Sequence, residues 1–136
     1  MYNIGYDIGS SSIKAALVEV DTGKQISVTH EPEGEMGMIS PKASWAEQDP
    51  DVWWKLICLA TKKLLKQTGI DSAKISGIGI AYQMHGLVLV DRNGAPLRNA
   101  IIWCDSRAVD IGNEAFKAIG TQKCMEHLLN LSLIHI

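Results

Sequence analysis

Apolar runs separated by turn residues open the chain and predict three short strands. Tyr2 to Ile8 is an apolar run broken by one acid, Asp7, and Ile13 to Val20 resumes strand-compatible sequence after a Gly-Ser turn. A second turn precedes a third extended segment from Gln25 to about His30. Because a parallel pair of strands needs a long crossover, strands joined by such short turns are predicted to form an antiparallel meander.

The hydrophobic period then changes from that of a strand to that of a helix. Residues 31–46 form an irregular connection, after which Asp49 can cap a helix, Pro50 suits its first position and Gly69 can end it. The residues that recur at helical spacing, and so predict the face packed on the sheet, are Trp53, Ile57, Ala60 and Leu64. Trp53 and Trp54 are both expected to pack the helix against the sheet.

The second half of the chain predicts further strands and a second helix. Ile75 to Ala81 is expected to be a buried strand, Leu87 to Val90 and Ala100 to Trp103 are shorter apolar runs, and Ser106 to Ile119 suits a helix. Strands, a helix, more strands and another helix together indicate an α/β layer structure.

Composition and charge narrow the function classes. The 136 residues are 46% apolar and 21% charged with a formal net charge of −2, so there is no global field to attract nucleic acid or an acidic membrane surface. No run approaches the roughly 20 apolar residues that span a bilayer, and no signal peptide is visible. The three widely spaced cysteines favour a reducing, cytoplasmic location.

Asp7 and the turn after it could handle a phosphate and its metal ion. Gly9 permits a tight turn, Ser10, Ser11 and Ser12 offer hydroxyl and backbone N–H donors, and Lys14 adds a positive charge. A carboxylate that holds hydrated Mg²⁺ beside such a turn suits a nucleotide phosphate. The alternative is that Asp7 merely begins a turn whose serines are solvated, and for this short pattern alone the two interpretations have equal weight.

Two later segments could contact a polyhydroxylated ligand. Gln83, Met84 and His85 interrupt two apolar runs at the end of a predicted strand, where α/β proteins commonly bind ligands. Trp103 and Asp105 end another run, and an aromatic face beside a carboxylate suits a sugar. The alternatives are a structural histidine in the first segment, and in the second a core tryptophan followed by a helix-capping aspartate and the surface residue Arg107. Glu47 is expected to organise the start of the first helix.

Four segments of the chain, taken in order, resemble the FGGY family of carbohydrate kinases. They are 6–14, 45–50 with the Trp53-Trp54 pair, 83–86 and 102–107. The first segment is shared with the broader actin-like ATPase superfamily, whereas the ordered set is specific. The resemblance covers nearly all of the chain except its last residues.

The resemblance implies a ribonuclease H-like (actin-like ATPase) α/β domain, with a mixed sheet whose first three strands are antiparallel and which helices flank. It also implies phosphoryl transfer from MgATP to a sugar hydroxyl. In that family pattern Asp7 is associated with Mg²⁺, and Ser10, Ser11 and Lys14 lie in the phosphate-contacting hairpin. Met84 and His85 match a sugar-contacting pair that favours a ketopentose such as D-xylulose, and Trp103 and Asp105 lie in a substrate-lining segment.

The resemblance also implies that the chain is incomplete. The family's general-base aspartate and its adenosine site lie in later sequence, so residues 1–130 are expected to be an N-terminal lobe without a catalytic base of its own and without kinase activity. Residues 131–136 are expected to be a truncated or non-native end. Three alternatives stay open: a kinase of another sugar or polyol such as ribulose, gluconate or glycerol, a non-catalytic sugar-binding module, and a homodimer in place of a monomer.

Overall fold

The computed structural model describes residues 1–128, which divide into two compact units. The first, here called the sheet unit, consists of Met1–Gly37 and Asp49–Gln83, and the second unit consists of Met38–Gln48 and the chain from Met84 onward. The end 131–136, expected to be truncated or non-native, lies outside the described residues. Over the described part, no helix has the length and apolar content needed to cross a membrane.

The predicted antiparallel meander is confirmed. Strands β1 (Tyr2–Ile8), β2 (Ile13–Glu19) and β3 (Gln25–Glu31) pair antiparallel in sequence order. Side chains alternate along β1, so Ile4 and Tyr6 point into the core whereas their neighbours lie on the other face. This alternation decides which face of the sheet carries the polar residues.

Helix α1 (Pro50–Thr68) begins and ends as the sequence predicts. The Asp49 carboxylate accepts a hydrogen bond from the Asp51 N–H at 2.9 Å, and Gly69 ends the helix in a left-handed conformation with φ 65°. The helix packs on β2 and β3. The core between helix and sheet consists of Ile4, Tyr6, Ala15, Leu17, Ala60 and Leu64.

The expectation for the tryptophan pair is half wrong. Trp53 packs against a second buried cluster around Ile13, whereas Trp54 is 66% exposed. Successive helical residues point about 100° apart, so two adjacent large side chains cannot both face the same sheet.

Strand β5 (Ile75–Tyr82) pairs parallel with β1 and ends the sheet, whose order is β3-β2-β1-β5. The prediction that this strand is buried is wrong, since Ile80 is 60% exposed and its neighbours Ile78 and Tyr82 are also exposed. The physical reason is position, because β5 is an edge strand and α1 covers β2 and β3 instead. An apolar sequence alone does not say which strand of a sheet is covered.

The second unit is built from very short strands. β4 (Glu47–Gln48) pairs antiparallel with β6 (Ala100–Ile101), and single bridges add Ile39 beside Glu47 and Leu87 beside Ile101. Helices α2 (Val109–Ile119) and α3 (Thr121–Leu128) follow. The predicted helix from Ser106 therefore starts three residues later, and α3 was not predicted.

Candidate functional site

Asp7 is the penultimate residue of β1, and its carboxylate is 50% exposed. Asp7 alternates with the buried Tyr6, so its side chain points away from the core. Directly opposite on β2, the Lys14 ammonium donates to Asp7 Oδ2 at 2.9 Å. An exposed ion pair of this kind contributes little to stability, so a ligand can exchange with either partner at small cost.

The turn between β1 and β2 is tight. The Gly9 N–H donates to the Ser12 carbonyl at 3.1 Å, and a side chain at Gly9 would bring its Cβ within 3.1 Å of that same oxygen. The Ser11 carbonyl is fixed from outside by the Met36 N–H at 2.7 Å. The turn thus holds the serine-rich segment 10–12 directly after Gly9, two residues beyond the end of β1 at Ile8.

The donor set at this turn fits a magnesium-bound phosphate. Mg²⁺ takes oxygen ligands and is usually held by one or two carboxylates together with phosphate oxygens and water. Across residues 1–128, no group of three or more His, Cys, Asp or Glu side chains could hold a metal ion. Asp7 as a single carboxylate beside hydroxyl donors suits a metal that arrives with its phosphate, but not a cage made only of protein ligands.

Gln83 follows β5 at the same edge of the sheet unit. Its backbone N–H donates to the Ile8 carbonyl at 2.9 Å, and Asp7 faces Ala81 in the register of β1 and β5. The Gln83 Oε1 and Nε2 atoms are both buried and have no hydrogen-bond partner among the described residues. A buried amide without partners costs free energy, so this side chain is suited to a ligand or water that supplies a donor and an acceptor.

Met84 and His85 open the second segment of the second unit, and His85 lies in an unusual backbone conformation. His85 has φ 63°, a left-handed conformation that few residues other than glycine adopt and that is often found at functional sites. Both side chains are exposed. Two residues further on, the Leu87 N–H donates to the Ile101 carbonyl at 2.9 Å, which ties this segment to β6.

A buried ionic cluster joins the two halves of the second unit. Arg107 donates from Nη2 to Glu47 Oε1 at 2.7 Å and to Asp105 Oδ2 at 2.7 Å, and from Nε to Asp105 Oδ1 at 2.9 Å. Arg98 also donates to Glu47 Oε1. The Ala46 N–H donates to Asp105 Oδ2 at 2.7 Å. Every carboxylate oxygen of the pair Glu47 and Asp105 therefore accepts at least one hydrogen bond.

The cluster keeps both acids ionised. The hydrogen bond from Arg107 lowers the pKa of Glu47 against the opposite effect of burial. Burial alone would raise the pKa of Asp105, but the hydrogen bonds from Arg107 and from the Ala46 N–H outweigh it, and the pKa lies below its ordinary value. Asp105 in turn raises the pKa of Arg107.

The alternative interpretations of this segment are wrong for all three residues, and the first of them, Trp103, is half exposed and is not a core residue. Asp105 does not cap α2, because the helix begins at Val109 with Ala108 as its N-cap residue. Arg107 is not a surface residue: its side chain is 15% exposed and its guanidinium lies 3.7 Å from the centre of the Trp45 ring. The half-exposed Trp103 lies two residues before Asp105.

Comparison with protein families identifies the chain. The profile of the FGGY family of carbohydrate kinases, N-terminal domain, matches residues 2–133. The chain belongs to this family.

Relatives of this FGGY domain are sugar kinases of much greater length. It is 35% identical to xylulose kinase from Bacillus subtilis over 131 residues, which is 96% of this chain and 24% of that protein. It is 37% identical to L-xylulose/3-keto-L-gulonate kinase from Escherichia coli over 110 residues, which is 81% of this chain and 21% of that protein. The chain thus spans about a quarter of the length of the first of these relatives.

Solved structures agree with the fold of the FGGY domain. The crystal structure of xylulose kinase from Rhodospirillum rubrum superposes with a TM-score of 0.79 at 29% identity, over 92% of this chain and 25% of that chain. The fold is that of the ribonuclease H-like, actin-like ATPases: a mixed sheet with three antiparallel strands, as the resemblance implied.

The roles of two charged residues in the second unit of the FGGY domain, Glu47 and Arg98, were not predicted from the sequence. Glu47 was expected to organise the start of α1, but Asp49 does that, and Glu47 is buried between two arginines. Arg98 was not singled out at all. The sequence gives no periodic signal for Glu47, because its strand has only two residues.

Proposed function

We propose that this chain is the N-terminal part of a longer sugar kinase, similar to xylulokinase, that phosphorylates D-xylulose to D-xylulose 5-phosphate. The observation that carries the proposal is the edge where β1 and β5 end. An exposed carboxylate, a serine-rich turn and the unpartnered buried amide of Gln83 lie there together. The xylulose kinases among its relatives support the substrate class.

The residues of the β1–β2 turn are assigned to the phosphate donor. Asp7 would hold the hydrated Mg²⁺, Ser10, Ser11 and Ser12 would donate to the phosphate beside Gly9, and Lys14 would pair with phosphate charge in place of Asp7. MgATP supplies the phosphoryl group when it is bound. Because Lys14 contacts only Oδ2 of Asp7 at an exposed site, the exchange of partners is cheap.

Five residues are assigned to the sugar. Gln83 pairs with a hydroxyl through both its amide atoms, His85 donates to or accepts from a second hydroxyl, and Met84 supplies an apolar contact to the sugar. Trp103 covers the C–H face of the sugar. Asp105 belongs to the same substrate-lining segment as Trp103. Its carboxylate oxygens already accept hydrogen bonds from Arg107 and Ala46, so Asp105 contributes to sugar binding indirectly, by holding the turn that carries Trp103.

The chain alone is proposed to be inactive as a kinase. Phosphoryl transfer requires donor, metal and acceptor to be held in line, and we assign the general-base aspartate and the adenosine site to the longer protein's second lobe. The three free thiols fit the reducing cytoplasm, where we place the enzyme. Association into a homodimer stays a prediction, which light scattering of the longer protein tests.

A substrate panel tests the proposed function. The longer protein is assayed with MgATP and D-xylulose, L-xylulose, D-ribulose, gluconate and glycerol, and the highest kcat/KM is expected for D-xylulose. The 136-residue chain under the same conditions is expected to show no turnover. A higher kcat/KM for another sugar contradicts the substrate, and failure to phosphorylate any of them contradicts the kinase and favours a sugar-binding module.

A second substrate has its own support. The Escherichia coli relative, named an L-xylulose/3-keto-L-gulonate kinase, is as similar in sequence as the xylulose kinases are. The Met84-His85 segment does not choose between the two, since the family resemblance connects it with a ketopentose and both xyluloses are ketopentoses. Higher kcat/KM for L-xylulose than for D-xylulose in the panel is the outcome that selects this candidate.

A further inference from the structure

The turn that presents Trp103 is held at both ends by one residue, Ala46. The Ala46 carbonyl accepts from the Ile102 N–H at 3.1 Å, and the Ala46 N–H donates to the Asp105 carboxylate at 2.7 Å. The turn itself is closed by the Asp105 N–H, which donates to the Ile102 carbonyl at 2.9 Å. Trp103 thus occupies the second position of a four-residue turn whose two ends are both hydrogen-bonded to Ala46, the residue directly before β4.

Arg107 holds the carboxylate on which this turn depends. Its guanidinium donates to both carboxylate oxygens of Asp105, and Nη2, one of the two donating atoms, also donates to Glu47 Oε1 at 2.7 Å. Its Cζ atom lies over the Trp45 ring, 3.7 Å from the ring centre. The planar guanidinium of Arg107 binds two carboxylates and packs on an indole, and these contacts together fix its orientation. The flexible ammonium of a lysine cannot make the same set of contacts.

Arg98 offers a matched comparison within the same cluster. It donates to the same Glu47 oxygen as Arg107, but its side chain is 41% exposed against 15% for Arg107. Its remaining described hydrogen bond goes to the Asn99 carbonyl at 3.3 Å. Arg98 therefore shares the charge and the partner of Arg107 without its hold on the turn.

We propose that Arg107 is a positioning residue for sugar binding, which acts by fixing the turn that presents the Trp103 ring. This inference rests on the proposed function, in which Trp103 covers the C–H face of the sugar. Arg107 itself need not touch the substrate. Its contribution is to the affinity for the sugar, and the handling of the phosphate donor is left unchanged.

Kinetics of the longer kinase separate this role from a general loss of structure. Arg107→Lys is expected to raise KM for D-xylulose about tenfold while kcat and KM for ATP stay within about twofold. Arg98→Lys, the matched control, is expected to change each of the three constants by less than about twofold. An equal effect of both substitutions, an unchanged KM for D-xylulose in Arg107→Lys, or a loss confined to kcat overturns the proposal.

A double substitution tests the route through Trp103. Trp103→Ala raises KM for D-xylulose by itself, and adding Arg107→Lys to it is expected to have no further effect, because the turn then has no ring to position. A further tenfold rise in the double variant would show that Arg107 acts independently of Trp103 and overturns the proposal. If Arg107→Lys does not fold, Trp45→Ala is used in its place, because it removes the ring under the guanidinium. The same two results are expected: a rise in KM for D-xylulose, and no further rise when it is combined with Trp103→Ala.

An NMR measurement tests the positioning role of Arg107 without depending on kinase activity. In the 136-residue chain labelled with ¹⁵N, Arg107→Lys is expected to shift or broaden the indole N–H signal of Trp103, whereas Arg98→Lys leaves it in place. If no sugar is phosphorylated by the longer protein, the proposed function fails and this signal still decides the positioning role. An unchanged Trp103 signal in Arg107→Lys overturns it.

Discussion

The two units of this chain place their charged residues in opposite ways. In the sheet unit, an apolar core lies between α1 and the sheet, and the pair Asp7 and Lys14 stays half exposed at a strand end. In the second unit, Arg107 pairs with Glu47 of β4 and with Asp105, and all three side chains are largely buried. The difference shows that ion pairs within one chain differ in what they hold: the exposed pair constrains little, whereas the buried cluster holds backbone segments together.

The largest effect is expected from breaking the buried cluster. Glu47→Ala leaves two guanidinium groups without their shared acceptor, and removing one partner of a buried pair costs about 3–5 kcal/mol. Urea denaturation of the chain measures this loss. Arg98→Ala, which removes the more exposed partner of the same glutamate, should cost clearly less, and equal losses would break the distinction between buried and exposed partners.

The sheet unit should respond most strongly to a change in its apolar core. Leu64 is fully buried against the sheet, so Leu64→Ala is expected to lower the free energy of unfolding by about 2–5 kcal/mol. Leu59 lies on the same helix but is half exposed, and Leu59→Ala serves as the control with an expected loss below about 1 kcal/mol. Similar losses for the two leucines would contradict the packing of α1 described above.

Acid should weaken the second unit through its two lowered pKa values. Since the pKa values of Glu47 and Asp105 are lower in the folded than in the unfolded chain, their contribution is complete above the unfolded pKa of about 4 and is lost as the pH falls through the folded pKa. Urea midpoints measured from pH 6 down to pH 3 should fall more steeply for the wild type than for Glu47→Gln. Parallel curves would show that Glu47 contributes nothing to this pH dependence.

The smallest effect is expected at the exposed pair. Lys14→Ala should change the free energy of unfolding by less than about 1 kcal/mol, and added salt should reduce the difference further. A loss as large as that of Glu47→Ala would mean that the pair is a structural element and is not readily exchanged for a ligand.

Sequence patterns predicted the parts of the fold that depend on local order. The turns after Ile8 and Val20 are too short for anything but antiparallel neighbours, and Asp49 and Gly69 are helix end signals that act within a few residues. The same patterns found Asp7 and Gln83, because polar residues interrupt apolar runs there. These features can be inferred because each depends on residues close together in the chain.

Features that depend on distant residues were missed. The exposure of β5 follows from which strands α1 covers, and no pattern within 75–82 records that. Arg107 is buried because Glu47, sixty residues earlier, lies opposite it. β4 and β6 have two residues each, too few for any period to be read.

The account depends most on the assignment of Asp7 to the metal-bound phosphate. Phosphorylation of D-xylulose by the longer protein is therefore compared with that of its Asp7→Asn variant, at equal protein concentration and with the melting temperature of each recorded. The account predicts that kcat falls by about a hundredfold or more while the melting temperature is nearly unchanged, because the exposed carboxylate contributes little to stability. Turnover by Asp7→Asn at close to the wild-type rate would contradict it.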